Sequence, residues 1–178
     1  MKNHGNKART IRMATIIAAL LSLTIIIVPM TQAADEIACR NVLHTQKVET
    51  MEVGDVPGHI MGVSHGVGLA FYTKGPDAGK IATRTGITIF DIINGKGTYS
   101  GHEVKTFQDN ASVFVKYSGT QTPIDGGKKT AYDGTWEITG GTGRFEGMKG
   151  TGTLKGERVG SPKTGGDTYT DITGSMSK

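Results

Sequence analysis

Short clusters of glycine, asparagine, aspartate and proline interrupt the chain repeatedly from residue 34 to residue 178. The runs between these clusters are rich in β-branched and aromatic residues, and none shows the sustained 3.6-residue period of an amphipathic helix. This pattern is typical of an all-β domain with many short connections. It predicts eight strands, near residues 42–52, 58–73, 80–93, 97–107, 111–118, 134–139, 144–157 and 168–176.

The connections between the predicted strands carry specific turn chemistry. Asn94-Gly95 stands between two apolar runs, and both residues tolerate a positive φ, which predicts a type I′ hairpin turn. Asp125-Gly126-Gly127 lies in the longest predicted loop, residues 119–133. Because short connections join neighbouring strands antiparallel, the chain order of the strands is also their expected order in the sheet.

Eight antiparallel strands in sequential order must hide the edges of their sheet. A closed up-and-down barrel does so completely, and its interior can hold one small ligand. We therefore predict an all-β, eight-stranded antiparallel up-and-down barrel, with a two-sheet sandwich as the alternative. The pattern leaves open which face of each strand points inward, because both faces carry apolar residues. In the third strand, Ile81, Ile87, Ile89 and Ile93 share one parity.

Residues 1–33 have the three parts of a secretory signal peptide. A basic start without acidic residues precedes an apolar run from Ala14 to Val28, which Pro29 ends. Small residues before the cleavage point predict cleavage after Ala33, with Ala34 as the alternative. The apolar run is shorter than the ~20 residues that a membrane-spanning helix needs. We expect an exported protein, periplasmic or extracellular, with no stable membrane anchor after cleavage and one barrel domain over residues 34–178.

Cleavage would change the charge of the protein. The chain has 20 Lys and Arg against 16 Asp and Glu, and four of the basic residues lie in residues 1–33, so the remaining chain carries 16 of each. A neutral domain gives no reason to expect nucleic acid as a partner. The single cysteine, Cys39, cannot form an internal disulfide. It is expected to be a free thiol in an N-terminal lead-in before the first strand.

One segment resembles a known family. Residues 134–147 read Gly-Thr-Trp-Glu-Ile-Thr-Gly-Gly-Thr-Gly-Arg-Phe-Glu-Gly, and a glycine-rich strand, residues 147–154, follows. This strand–turn–strand resembles the allene oxide cyclase and dirigent superfamily of small calycin-like barrels. Residues 58–63 and 68–71 resemble exported bacterial members of that group that have no assigned activity.

The resemblance carries expectations about structure and activity. Plant members of the family cyclise an unsaturated epoxide or orient phenoxy radicals for coupling, and they work without metal or nucleotide cofactors. The matching segment is a turn, so it assigns structural positions, Gly140, Gly141, Gly143 and Phe145, and no pocket residue. Family members often associate through their barrel walls, which allows a homo-oligomer here.

The sequence offers few groups for chemistry. His59 and His65 fall on one face of one strand about 20 Å apart, too far to share a metal ion, and no other ligand spacing is present. We expect no metal and no cofactor. Six polar residues within apolar strands could face the lumen and act as acid or base through shifted pKa values. They are Arg84, Asp91, Tyr99, His65, Glu103 and Glu137, and the alternative for each is an outward, solvated position.

These observations support three functional hypotheses. The first is an exported barrel that binds a small apolar or aromatic molecule in its lumen. The second is a cofactor-independent isomerase or cyclase of the allene oxide cyclase type. The third is a structural envelope protein with a filled barrel and no ligand. The first two require an apolar cavity with convergent polar groups, whereas the third requires a packed interior.

Overall fold

The computed structural model describes residues 33–160 and 166–178, which form a closed barrel of eight strands. The strands are β1 (Asp35–Glu52), β2 (His59–Lys74), β3 (Ile81–Ile93), β4 (Lys96–Thr106), β5 (Ser112–Ile124), β6 (Lys129–Gly141), β7 (Lys149–Val159) and β8 (Asp167–Ser177). Each strand pairs antiparallel with its neighbours in sequence, and β8 closes the barrel against β1. The predicted up-and-down barrel is therefore confirmed, and the sandwich is wrong.

Apart from Ala33, the predicted signal peptide lies outside the described residues. Within the described ranges, no helix has the length and apolar character needed to cross a membrane.

The first strand begins earlier than predicted. β1 starts at Asp35, seven residues before the expected position 42, and its first residue pairs with Met176 of β8. Cys39 therefore lies within a strand and is buried, so its predicted place in a lead-in is wrong. The extension depends on a partner at the far end of the chain, which no local pattern reveals.

The predicted loop over residues 119–133 is also wrong. β5 and β6 occupy most of it and leave only a turn, with Asp125–Gly127 in a short 3-10 helix. Residues 119–124 are polar and contain glycine and proline, a composition that locally favours a loop. They form a strand because they pair with β6, from Gly119 with Gly134 to Ile124 with Lys129.

The inward face of β3 is not its more apolar one. On β3, Ala82, Arg84 and Phe90 belong to the inward parity, whereas Ile87 and Ile89 point outward and are more than half exposed. The outward β-branched side chains lie beside one another on the barrel wall, where such residues fit the pleat. The interior contains aromatic and aliphatic side chains together with several buried polar ones. If hydrophobicity alone decided which side chains are buried, β3 would present its isoleucine face to the interior.

Glycines make room for the large rings of the interior. Trp136 is the register partner of Gly152, which in turn pairs with Gly174. A Cβ atom at Gly174 would lie 2.6 Å from Cζ2 of Trp136, so the indole lies across the two glycines. The ring is held there by a hydrogen bond from its Nε1 to the carbonyl oxygen of Thr173, at 3.1 Å.

The same arrangement recurs across β4, β5 and β6. Tyr99 is the register partner of Gly119, which pairs with Gly134. Cβ atoms at these two glycines would lie 2.7 and 2.8 Å from the tyrosine hydroxyl oxygen. The glycines of β5 to β8 thus allow aromatic rings to lie flat against the wall and leave space in the middle of the barrel.

The glycine-rich turn between β6 and β7 closes one end of the barrel. Gly140 and Gly141 end β6, and Gly143 has a φ of +60°, a conformation that favours glycine. A Cβ at Gly141 would lie 2.6 Å from the Cβ of Phe145, so the turn permits this close approach. Phe145 is buried and stacks near Phe107, with ring centroids 5.1 Å apart.

An arginine in this turn holds the closed end. The guanidinium carbon of Arg144 lies 4.5 Å from the ring centroid of Phe107 and 4.6 Å from that of Phe145. Its Nη2 donates to the buried carboxylate of Asp77 at 2.9 Å, and its Nη1 pairs with Asp109. The turn of the segment that carries the family resemblance therefore closes this end of the barrel.

A histidine on the outer wall predicts a pH dependence of stability. His59 lies between two carboxylates, with Nδ1 2.6 Å from Asp55 and Nε2 2.8 Å from Asp91, and the hydrogen bonds to Asp91 and Asp55 raise its pKa. A raised pKa in the folded state contributes stability below the unfolded pKa of about 6.5, and this is lost as pH rises through the folded value.

We therefore expect His59→Gln to lower the melting temperature more at about pH 5.5 than at about pH 8.5. Thermal melts followed by circular dichroism at both pH values measure this. The control is His102→Gln, which changes a histidine that is exposed on β4. An equal effect of His59→Gln at both pH values would show that the two carboxylates do not stabilise a protonated ring.

Candidate ligand-binding site

A cavity of about 110 Å³ occupies the barrel interior in the half nearer the Asn94-Gly95 turn, and it is partly open to solvent. Five aromatic residues, Phe90, Tyr99, Tyr117, Tyr132 and Trp136, contribute to its wall. The volume exceeds that of a few water molecules, since one water needs roughly 10–15 Å³ on this scale. In the opposite half, the void that remains is only about 20 Å³. The barrel is thus packed at one end and hollow at the other.

A buried cluster of charges separates the two halves. Arg84 donates from Nε to Oε2 of Glu103 at 2.5 Å, and Nζ of Lys105 lies 3.2 Å from Oε1 of the same carboxylate. The three side chains are 7%, 2% and 4% exposed. Arg84 and Glu103 line the large cavity, whereas Lys105 faces the small void. One carboxylate therefore holds two cations inside the barrel.

The neighbours of this cluster keep it ionised. Burial alone raises the pKa of Glu103, but Arg84 and Lys105 outweigh it, so the pKa lies below its ordinary value. Burial lowers the pKa of Lys105, and the attraction of Glu103 overcomes this and raises it. Cys39, whose Sγ lies 3.5 Å from Nζ of Lys105, has a pKa raised by burial and is a neutral thiol. The cluster carries one net positive charge.

Three neighbouring tyrosines form part of the cavity wall. The ring of Tyr99 meets that of Tyr132 edge-on, with centroids 5.5 Å apart, and approaches that of Tyr117 at 6.3 Å. Burial raises the pKa of all three hydroxyls, so they are neutral donors at ordinary pH. Arg158 donates to the hydroxyl of Tyr132 at 2.8 Å and to Thr130 at 3.0 Å. Arg158 is thus the second cation that lines this cavity, and unlike Arg84 it has only neutral hydrogen-bond partners.

The structure divides the six predicted lumen candidates equally. Arg84, Tyr99 and Glu103 line the cavity. The other three, Asp91, His65 and Glu137, lie on outward strand faces, which was the alternative position for each. Asp91 pairs with His59, and Glu137 pairs with Lys116 at 3.2 Å with both side chains about half exposed. Their strands turn the opposite parity inward.

Sequence reasoning missed Lys105 and Arg158, although a signal for Lys105 was present. Along β4 and the residue that follows it, Tyr99, Glu103, Lys105 and Phe107 share one parity. Two aromatic residues at the ends of this series mark the inward face, and the charges between them would then be lumen groups. Arg158 lies next to outward residues of ordinary strand composition, and nothing local distinguishes it. Among the described residues, no group of three or more His, Cys, Asp or Glu side chains is arranged to hold a metal ion.

The fold and its lumen define a class: closed, eight-stranded antiparallel barrels with a partly open aromatic interior. No family model and no curated protein matches the chain. A solved structure, that of a pterocarpan synthase dirigent protein, is similar with a TM-score of 0.43 and 14% sequence identity. The similarity covers 85% of this chain and 96% of that one, and it is a similarity of fold.

Proposed function

We propose that this protein is an exported barrel that binds a small apolar or aromatic molecule in its lumen, in the periplasm or outside the cell. The observation that carries the proposal is the cavity of about 110 Å³ with its five aromatic rings. Ligand sites are typically concave and apolar, with a few polar groups that fix orientation. The packed opposite end makes this cavity a pocket rather than a channel.

The ionisation of the lumen groups favours binding over catalysis. An efficient general acid or base has a pKa near the working pH. Here the pKa of Glu103 is lowered and those of Lys105, Cys39 and Tyr99 are raised, each away from neutrality. A cofactor-independent isomerase would need at least one of them to exchange a proton readily. A filled structural barrel is disfavoured because the cavity half is not packed.

The only tryptophan of the chain reports directly on this site. Trp136 lines the cavity, so all tryptophan emission of the protein comes from the lumen. A bromophenyl compound that enters the barrel is expected to quench this emission by contact with the indole. We expect para-bromobenzyl alcohol and para-bromobenzoate to quench Trp136 saturably, with matching heats in titration calorimetry.

A variant that fills the cavity provides the control. Gly66 lines the cavity, and a Cβ there would meet only ordinary contacts, the nearest at 3.4 Å. Gly66→Leu should place its side chain in the lumen and abolish quenching in a folded protein. Thr85→Leu, which introduces a leucine on the exposed face of β3, should leave the binding of both probes as in the wild type. Absence of saturable quenching with both probes would contradict the proposed function.

A further inference from the structure

The charges that line the lumen do not balance. Three cations, Arg84, Lys105 and Arg158, face the two interior cavities, and Glu103 is the single carboxylate that does so in the described part of the chain. The excess is two positive charges. Arg84 and Lys105 are almost fully buried with one carboxylate between them, and Arg158 is partly buried with neutral partners. Taking a charge out of water without a counter-charge is costly. Something of negative charge would complete this interior.

The hydrogen-bonding groups of the lumen point to the same conclusion. Four buried side-chain atoms of the lumen make no hydrogen bond. One is Oε1 of Glu103, which forms an ion pair with Lys105. The other three are Nη1 of Arg84, Nε of Arg158 and the hydroxyl of Tyr99. All three can donate a hydrogen bond, and the two arginine nitrogens can do nothing else. The donors of Asn41, Gln121 and Trp136 are already used within the barrel, by Thr170, Gly95 and Thr173 respectively. Three buried donors of the lumen therefore have no acceptor among the described residues.

Arg84 is the cation best placed to receive an acceptor from a ligand. Its side chain is 93% buried and lines the cavity, and Glu103 engages its Nε and Nη2 while Nη1 has no acceptor. Its guanidinium carbon lies 6.0 Å from the ring centroid of Tyr117, so an aromatic wall adjoins the charge. A low-dielectric surrounding strengthens the attraction of such a group for an anion.

We infer that the natural ligand of the lumen is an organic anion, an aromatic or apolar molecule with one carboxylate or comparable acidic group. The acidic group lies on the side of Arg84 and Arg158, and the apolar part lies against Trp136 and the tyrosines. This inference rests on the proposed function, because it names the chemical class that the same cavity takes. Neutral molecules of the same shape would leave both the excess charge and the donors without a partner.

The matched probes test this directly. Para-bromobenzoate and para-bromobenzyl alcohol have the same ring and bromine and differ in charge. At neutral pH we expect the carboxylate to bind about tenfold more tightly than the alcohol, or more, because charge-assisted hydrogen bonds are the stronger kind. Calorimetry and Trp136 quenching both measure the ratio. Raising the salt concentration should reduce it.

Variants of Arg158 separate the lumen charge from the total charge. Arg158→Gln removes one lumen cation and leaves only the neutral partners Tyr132 and Thr130, so the fold should tolerate it. We expect it to reduce the preference for the carboxylate by about three- to tenfold, whereas Arg158→Lys retains most of it. The control is Lys155→Gln, which makes the same charge change on the exposed face of the same strand and should leave the preference unchanged.

The outcomes distinguish the two proposals. A strong preference for the carboxylate that falls in Arg158→Gln and not in Lys155→Gln supports the inference. Equal binding of the two probes, or a preference that Lys155→Gln reduces as much, would overturn it and leave lumen binding in place. If neither probe binds, the proposed function fails, and the inference fails with it.

Discussion

Replacing Glu103 with glutamine is expected to lower the free energy of unfolding by about 3–5 kcal/mol, a large part of the stability of a small domain. The carboxylate holds Arg84 at 2.5 Å and Lys105 at 3.2 Å in a site where all three side chains are almost fully buried. An amide keeps the shape but not the charge, and two buried cations then face each other without an anion. Chemical denaturation followed by circular dichroism measures the change.

The matched control is an ion pair on the outer wall. Glu137 and Lys116 lie at the same 3.2 Å separation, but both side chains are about half exposed. Solvent screens such pairs, so Glu137→Gln should cost at most about 1 kcal/mol. Comparable losses for Glu103→Gln and Glu137→Gln would show that the buried cluster contributes no more than a surface pair.

The effect of Glu103→Gln should also depend on pH. Because the folded pKa of Glu103 is lowered, its charge stabilises the protein above the unfolded pKa of about 4.3, and this is lost as pH falls through the folded value. The difference between wild type and Glu103→Gln is therefore expected to narrow below about pH 4. A constant difference into acid would mean that the variant fails by altered packing rather than by lost charge.

The strand order was predictable because turn chemistry is local. Asn94 and Gly95 both have positive φ, 49° and 83°, as a type I′ turn requires, and the sequence shows this without any knowledge of the fold. The ends of β1, β5 and β6 were not predictable in this way. They are strands because of their partners in the barrel, and Asp35 and Met176 are separated by almost the whole domain.

The candidate site was less accessible to sequence reasoning than the fold. The turn of the segment with the family resemblance builds the closed end around Phe145, and Trp136 in the preceding strand of the same segment lines the cavity. The lumen residues come from all eight strands, two to four from each, so they form no motif. The inward parity of β3 runs against hydrophobicity, since Arg84 points in and Ile87 points out. The register of the β3–β4 hairpin places Arg84 opposite Lys105 and beside Glu103.

The aromatic rings of the lumen lie against glycines of neighbouring strands, and this packing predicts the second large effect on stability. Gly174→Ala should destabilise the protein by about 3 kcal/mol, the upper end of what overpacking costs. The added Cβ would lie 2.2 Å from the carbonyl oxygen of Thr151 and 2.6 Å from Cζ2 of Trp136. Neither neighbour can move freely, because one belongs to the β-sheet and the other is buried and hydrogen-bonded.

Gly66→Ala is the matched control, since it makes the same substitution on an inward strand position of the same barrel. Its Cβ would lie 3.4 Å from Cδ2 of Leu43, an ordinary contact, so the expected cost is well under that of Gly174→Ala. Denaturant melts measure both, and Trp136 emission adds a local readout that should shift in Gly174→Ala and not in Gly66→Ala. In a Trp136→Phe background, Gly174→Ala should cost less, because the clash with the indole is gone, and the difference is the coupling energy between ring and glycine. Equal losses at Gly66 and Gly174, or no coupling to Trp136, would show that the glycines of β7 and β8 do not shape the lumen by admitting the indole.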